Sequence, residues 1–105
     1  MADFDTDLRA AAERFNAGQT EEAARLCQSC LAAKPEHPDA LHLYGVILFR
    51  LGKLRDAVVP LEKAVRLHPE GADYWYNLGR VLEGLNHIAE SADALDLKLA
   101  ARAGS

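Results

Sequence analysis

The chain has 105 residues, 50% of them hydrophobic and 27% charged, with a formal net charge of -4 and a pI near 5.5. That suffices for one domain with a modest core, and the acidic balance argues against a nucleic-acid phosphate backbone or an anionic membrane as the main partner. No run approaches the roughly 18 apolar residues of a membrane span, and the MADFDTD start lacks a signal peptide's basic and apolar regions, so a cytoplasmic location is expected.

Asp5, Thr6 and Asp7 supply caps and acidic residues for a first helix running to about Ala17. Gly18 ends it, and Thr20 with Glu21 and Glu22 opens a second helix. Cys27 and Cys30 fall in the middle of that helix, away from the N-terminal turn that activates thiols, so they read as small core residues rather than a redox pair. Two cysteines cannot complete a zinc site, and His37, His42, His68 and His87 are too scattered to help, so neither metal nor cofactor is expected.

From Pro38 to Gly71 the chain matches itself at an offset of 34 residues. Gly45 falls on Ala11 and Gly79, Ala57 on Ala23 and Ser91, Leu61 on Cys27 and Leu95, and Pro69 on Pro35. Within this unit Leu41, Tyr44, Val46, Leu48 and Leu51, then Leu54, Ala57, Val58, Leu61, Ala64 and Val65, recur at helical spacing. Gly52 breaks the two runs and Pro69 follows the second, so the unit is a helix-turn-helix hairpin. Pro60 inside the second helix predicts a modest bend, with the carbonyl of Asp56 turned to water. A fifth helix is expected over 72–85, with Trp75 as the largest wedge between the second and third units, and a sixth helix after it.

Trp75, Leu78, Gly79 and Leu82, together with Gly45, Gly52, Ala57, Leu61, Ala64 and Pro69, resemble the signature of the tetratricopeptide repeat (TPR) family. The resemblance covers nearly the whole chain. It implies an all-α, right-handed superhelical solenoid of three antiparallel helix-turn-helix hairpins, one domain over 1–105 with repeats at about 4–37, 38–71 and 72–105. Small residues let the helices of a hairpin approach, Gly45 against Ala57 and Gly79 against Ser91. Asp7 and Arg14 replace the apolar residues of their columns, as an N-terminal cap would. Lys98, in the small column of Cys30 and Ala64, suggests that no fourth repeat packs on the last helix, where Ala94, Leu97 and Ala101 form an apolar stripe suited to a homodimer contact.

No serine resembles an exposed nucleophile and no glycine run a phosphate loop, so an enzyme is not expected. The resemblance instead implies a protein-interaction scaffold with a groove lined by the first helix of each hairpin. Its columns are Leu8, His42 and Tyr76; Ala12, Val46 and Arg80; Phe15, Phe49 and Glu83; and Asn16, Arg50 and Gly84. The expected peptide-binding residues are Phe15, His42, Phe49, Arg50, Tyr76, Asn77 and Arg80, aromatic anchors with guanidinium partners. A plainer reading has Phe15 and Phe49 completing the core and Arg50 paired with Glu83. The carboxylate-clamp type of this family does not fit, since Leu8, Ala12, Leu43 and Asp73 stand where its polar residues belong and only Asn77 matches. An asparagine ladder, as in O-linked N-acetylglucosamine transferases, fails because Arg9 and Leu43 precede Asn77 in its column. Two alternatives stay open: an N-terminal TPR portion holding a substrate or partner for a larger enzyme or secretion component, and a self-associating structural unit.

Overall fold

The helical periodicity is realised as α1 (Phe4–Asn16), α2 (Thr20–Ala33), α3 (Pro38–Arg50), α4 (Leu54–Leu67) and α5 (Ala72–Ala103). The computed structural model describes residues 3–103, with side chains described over residues 3–89. The turns after α1 and α3 are built alike. Gly18 and Gly52 take φ of 83° and 81°, a region that disfavours any residue with a Cβ. Each lets the next amide reach back five residues, Gln19 N–H to the Arg14 carbonyl at 2.8 Å and Lys53 N–H to Leu48 at 2.9 Å. This double closure satisfies the last carbonyls of both helices and folds the chain back on itself. α3 opens on Pro38 in its first turn, and the Nδ1 of His37 accepts the Ala40 amide proton at 3.3 Å as its cap.

α1 packs on α2 and α3 on α4, making two antiparallel hairpins, and α5 packs on α4. One core cluster lies between the second hairpin and α5, made of Leu41, Leu48, Ala57, Leu61, Ala64, Val65, Tyr74, Leu78 and Val81. Another joins the hairpins through Ala11, Ala23, Cys27 and Ile47. Cys27 and Cys30 are buried and free, packing as small core residues. Burial pushes the Cys27 thiol up to about 12, with Cys30 adding to the shift, so Cys27 stays protonated at neutral pH. Pro60 is accommodated in α4 and buried.

Three expectations are corrected. α5 is one continuous helix of 32 residues, so the third hairpin is not formed and no turn follows Leu85. Asn86 stands where Gly18 and Gly52 make their positive-φ turns, and no non-glycine residue adopts positive φ among the described residues. A Cβ there raises the cost of the left-handed turn, and the helix runs on through residues that favour it. Trp75 is not the wedge. It is 51% exposed, its indole N–H donating to the Pro69 carbonyl at 2.7 Å, while Tyr74, 8% exposed, fills the space between repeats. Finally, the nearest neighbour of the notch at Gly45 is Leu61 rather than Ala57, and a Cβ on Gly79 would meet nothing within 4 Å.

Candidate peptide-binding groove

α1, α3 and α5 lie side by side, which brings the expected columns together. The arginines do not pair with acids across the groove. The guanidinium of Arg50 lies over the ring of Phe15 at 5.0 Å, and that of Arg80 over Phe49 at 5.4 Å and Tyr76 at 5.9 Å. Arg50 therefore does not meet Glu83, whose carboxylate is 3.9 Å from His87. Each arginine bridges to the aromatic residue of the preceding repeat, so the same contact recurs one unit along. Phe15 and Phe49 are half-buried and pack against the core clusters, while Tyr76 is 65% exposed.

His42 and Asn77 meet each other. The amide nitrogen of Asn77 lies 2.7 Å from His42 Nε2, which accepts its proton, and 3.0 Å from the Asp73 carbonyl. Burial lowers the pKa of His42 below its usual value, against the opposing charges of Asp73 and Asp39. Its ring packs on Tyr74 with centroids 4.6 Å apart. The Tyr74 hydroxyl donates to Asp39, and burial, that hydrogen bond and the charges of Asp39 and Asp73 raise its pKa to about 12. His37, Pro38, Asp39, His68 and Tyr74 line a shallow cleft of about 230 Å³ at this end of the groove. The signal for Tyr74 was its column: an aromatic residue replaces Ala40, which is fully buried one repeat earlier.

Ser91, Ala94, Leu97, Lys98 and Ala101 lie outside the residues whose side chains are described. Among the described residues no three His, Cys, Asp or Glu side chains form a metal-ligand set, and no helix is long and apolar enough to cross a membrane.

Residues 16–97 match the family model of anaphase-promoting complex, cyclosome, subunit 3. Curated relatives include an FK506-binding protein-like protein of Homo sapiens, 34% identical over 79 residues, covering 74% of this chain and 23% of that protein. The BBSome complex member BBS4 of Xenopus tropicalis is 32% identical, covering 78% of this chain and 16% of its own length. An N-terminal acetyltransferase A complex subunit-like protein of Schizosaccharomyces pombe is 32% identical over 66% of this chain and 10% of its own. The chain thus spans less than a quarter of the length of these relatives. Among solved structures, the first TPR of Spaghetti (RPAP3) bound to the HSP90 peptide SRMEEVD superposes with a TM-score of 0.77 at 20% identity, over 80% of this chain and 67% of that one. A Thermobaculum terrenum O-GlcNAc transferase mutant superposes with a TM-score of 0.69 at 32% identity, over 78% of this chain and 16% of that one. The repeat period, the glycine turns, the packing columns and these matches together place the chain in the tetratricopeptide-repeat family, through the model of anaphase-promoting complex, cyclosome, subunit 3.

Proposed function

We propose that this chain is a non-catalytic protein-interaction module whose groove holds an extended or helical peptide with an apolar anchor and an acidic group. The observation that carries this reading is the pair of arginines laid over aromatic rings, Arg50 on Phe15 and Arg80 on Phe49 and Tyr76. Stacking holds the guanidinium plane while its N–H edges stay free to donate, and both arginines are exposed. A carboxylate docked on those edges would gain charge-assisted, forked hydrogen bonds, and an apolar side chain would lie against Phe49 and Tyr76. Asn77 and His42 form the wall of the site and orient each other. That the first TPR of RPAP3 is bound to the HSP90 peptide SRMEEVD supports a peptide as the class of partner.

The test is a titration of fluorescein-labelled acidic peptides, each with one apolar residue and SRMEEVD among them, against the chain and its variants. Phe49→Ala and the double change Arg50→Ala with Arg80→Ala, each confirmed folded by circular dichroism, are expected to weaken the tightest peptide by more than about 1 kcal/mol. Binding should fall with added salt, since carboxylate contacts by exposed arginines are screened. Equal binding by the folded variants defeats the groove reading.

A second reading, in which the repeats hold a partner for a larger protein, is favoured by relatives in which a comparable segment is only 10–23% of the whole.

A further inference from the structure

His42 and Asn77 meet across α3 and α5, both half-buried, and each leaves the other a single arrangement. The amide nitrogen of Asn77 is 2.7 Å from His42 Nε2 and 3.0 Å from the Asp73 carbonyl. A carbonyl can only accept, so Asn77 must turn its NH2 group that way, with its second N–H left for His42. Nε2 therefore accepts, and the proton of the neutral ring lies on Nδ1. With both N–H groups spent, Oδ1 is what the amide has left to offer. No hydrogen bond from a described residue reaches that oxygen, and no buried side-chain oxygen among the described residues lacks a partner, so Oδ1 opens to solvent.

Protonation of His42 has no such solution. Both ring nitrogens then donate, and Nε2–H points at an NH2 group 2.7 Å away. Turning the amide over would suit the imidazolium but set Oδ1 against the Asp73 carbonyl across the 3.0 Å now spanned by a hydrogen bond, two acceptors with no proton between them. The charged and titratable groups facing His42 are Asp39 on its own helix and Asp73 and Tyr74 on α5, while among the described residues α1, α2 and α4 bring no charge that shifts it. The Tyr74 hydroxyl stays protonated and donates to Asp39. Burial outweighs both carboxylates, so the ring is neutral at pH 7 and the first arrangement prevails.

Arg80 stands three residues beyond Asn77, on the neighbouring turn of α5, a spacing that leaves roughly 5–6 Å between Cβ atoms. An extended peptide advances about 3.3 Å per residue, so an acidic side chain on Arg80 brings a backbone N–H one or two residues away within reach of Asn77. We propose, on the footing of the groove reading above, that His42 is the positioning residue of this site: neutral, it holds Asn77 Oδ1 outward to accept a peptide N–H beside the acid on Arg80, and protonated, it breaks that arrangement and releases the ligand. Binding in mild acid therefore expels a proton from His42.

NMR of the isotope-labelled full chain tests the latch without ligand. At pH 8 His42 should be the Nδ1–H tautomer, and the Asn77 side-chain amide signals should shift with the His42 ring as the pH falls to 5. An Nε2–H ring at pH 8, or an Asn77 amide indifferent to that titration, overturns the proposal. Fluorescein-labelled acidic peptides, SRMEEVD among them, should bind more weakly as the pH falls, by up to about tenfold per pH unit once His42 titrates, the slope of one linked proton. Circular dichroism at each pH establishes that the chain stays folded. His42→Gln should flatten the slope whatever its affinity at pH 8, while His87→Gln, which alters an exposed histidine beside Glu83, should keep it. Methylating the peptide's backbone nitrogens one at a time should weaken binding at a position within two residues of an acid, and Asn77→Ala should remove that difference; a scan with no such position overturns the proposal. Binding at pH 8 that needs Arg50 and Arg80 but has the same pH slope in wild type and His42→Gln defeats the role of His42 and leaves the groove standing. Absence of binding by every peptide at pH 8 defeats both.

Discussion

Gly45 shows how little room a repeat leaves between its two helices. Because Leu61 occupies the space a Cβ would take and is itself fully buried, Gly45→Ala must displace a core leucine. Overpacking of this kind costs about 1–3 kcal/mol. Urea denaturation should show that loss, while Gly79→Ala, with open space around it, should cost nothing or stabilise α5 through the better helix propensity of alanine. His42 makes a different prediction. Its folded pKa is depressed, so the unfolded chain binds the proton more readily, and stability present above the ordinary histidine pKa of about 6.5 is lost as pH falls below it. Opposing carboxylates at Asp73 and Asp39 limit the effect without reversing its sign. Urea midpoints measured at neutral and mildly acidic pH should fall more steeply for the wild type than for His42→Gln, which keeps an acceptor for Asn77 but does not titrate.

At the scale of elements, the two turns that form carry glycine in the column where the one that does not form carries asparagine. Gly18 and Gly52 reach φ near 80° without a Cβ, whereas Asn86 occupies the equivalent place inside α5. Asparagine is the next most tolerant residue in that region, so the choice between a straight helix and a hairpin is close. Asn86→Gly removes the Cβ and also costs the straight helix about 1 kcal/mol. The variant should lose helical circular dichroism and bury Trp75, now 51% exposed, shifting its emission to shorter wavelength. Unchanged helicity and an exposed Trp75 would show that the turn glycine is not what holds α5 straight. The same absence of a sixth packed helix explains why Trp75 and Leu82 are exposed while Leu41 and Leu48, one repeat earlier, are core.

For the whole molecule, extents of 67 × 29 × 21 Å reflect α5 continuing beyond two stacked hairpins. Much of this was legible in the amino-acid order, because an internal repeat is a local, periodic signal. The 34-residue offset, the glycine turns and the core positions of Cys27, Leu61 and Ala64 all follow from equivalent residues meeting equivalent surroundings. What each candidate groove residue touches did not follow. Arg50 chooses Phe15 over Glu83, and Asn77 chooses His42, because side chains 35 residues apart compete for partners that only stacked helices bring within reach. Periodicity was equally silent on α5, since two helices joined by a turn and one unbroken helix carry the same 3.6-residue pattern. That outcome rests on a balance of about 1 kcal/mol at one position against the burial a folded-back helix would gain, and only the tertiary structure decided it.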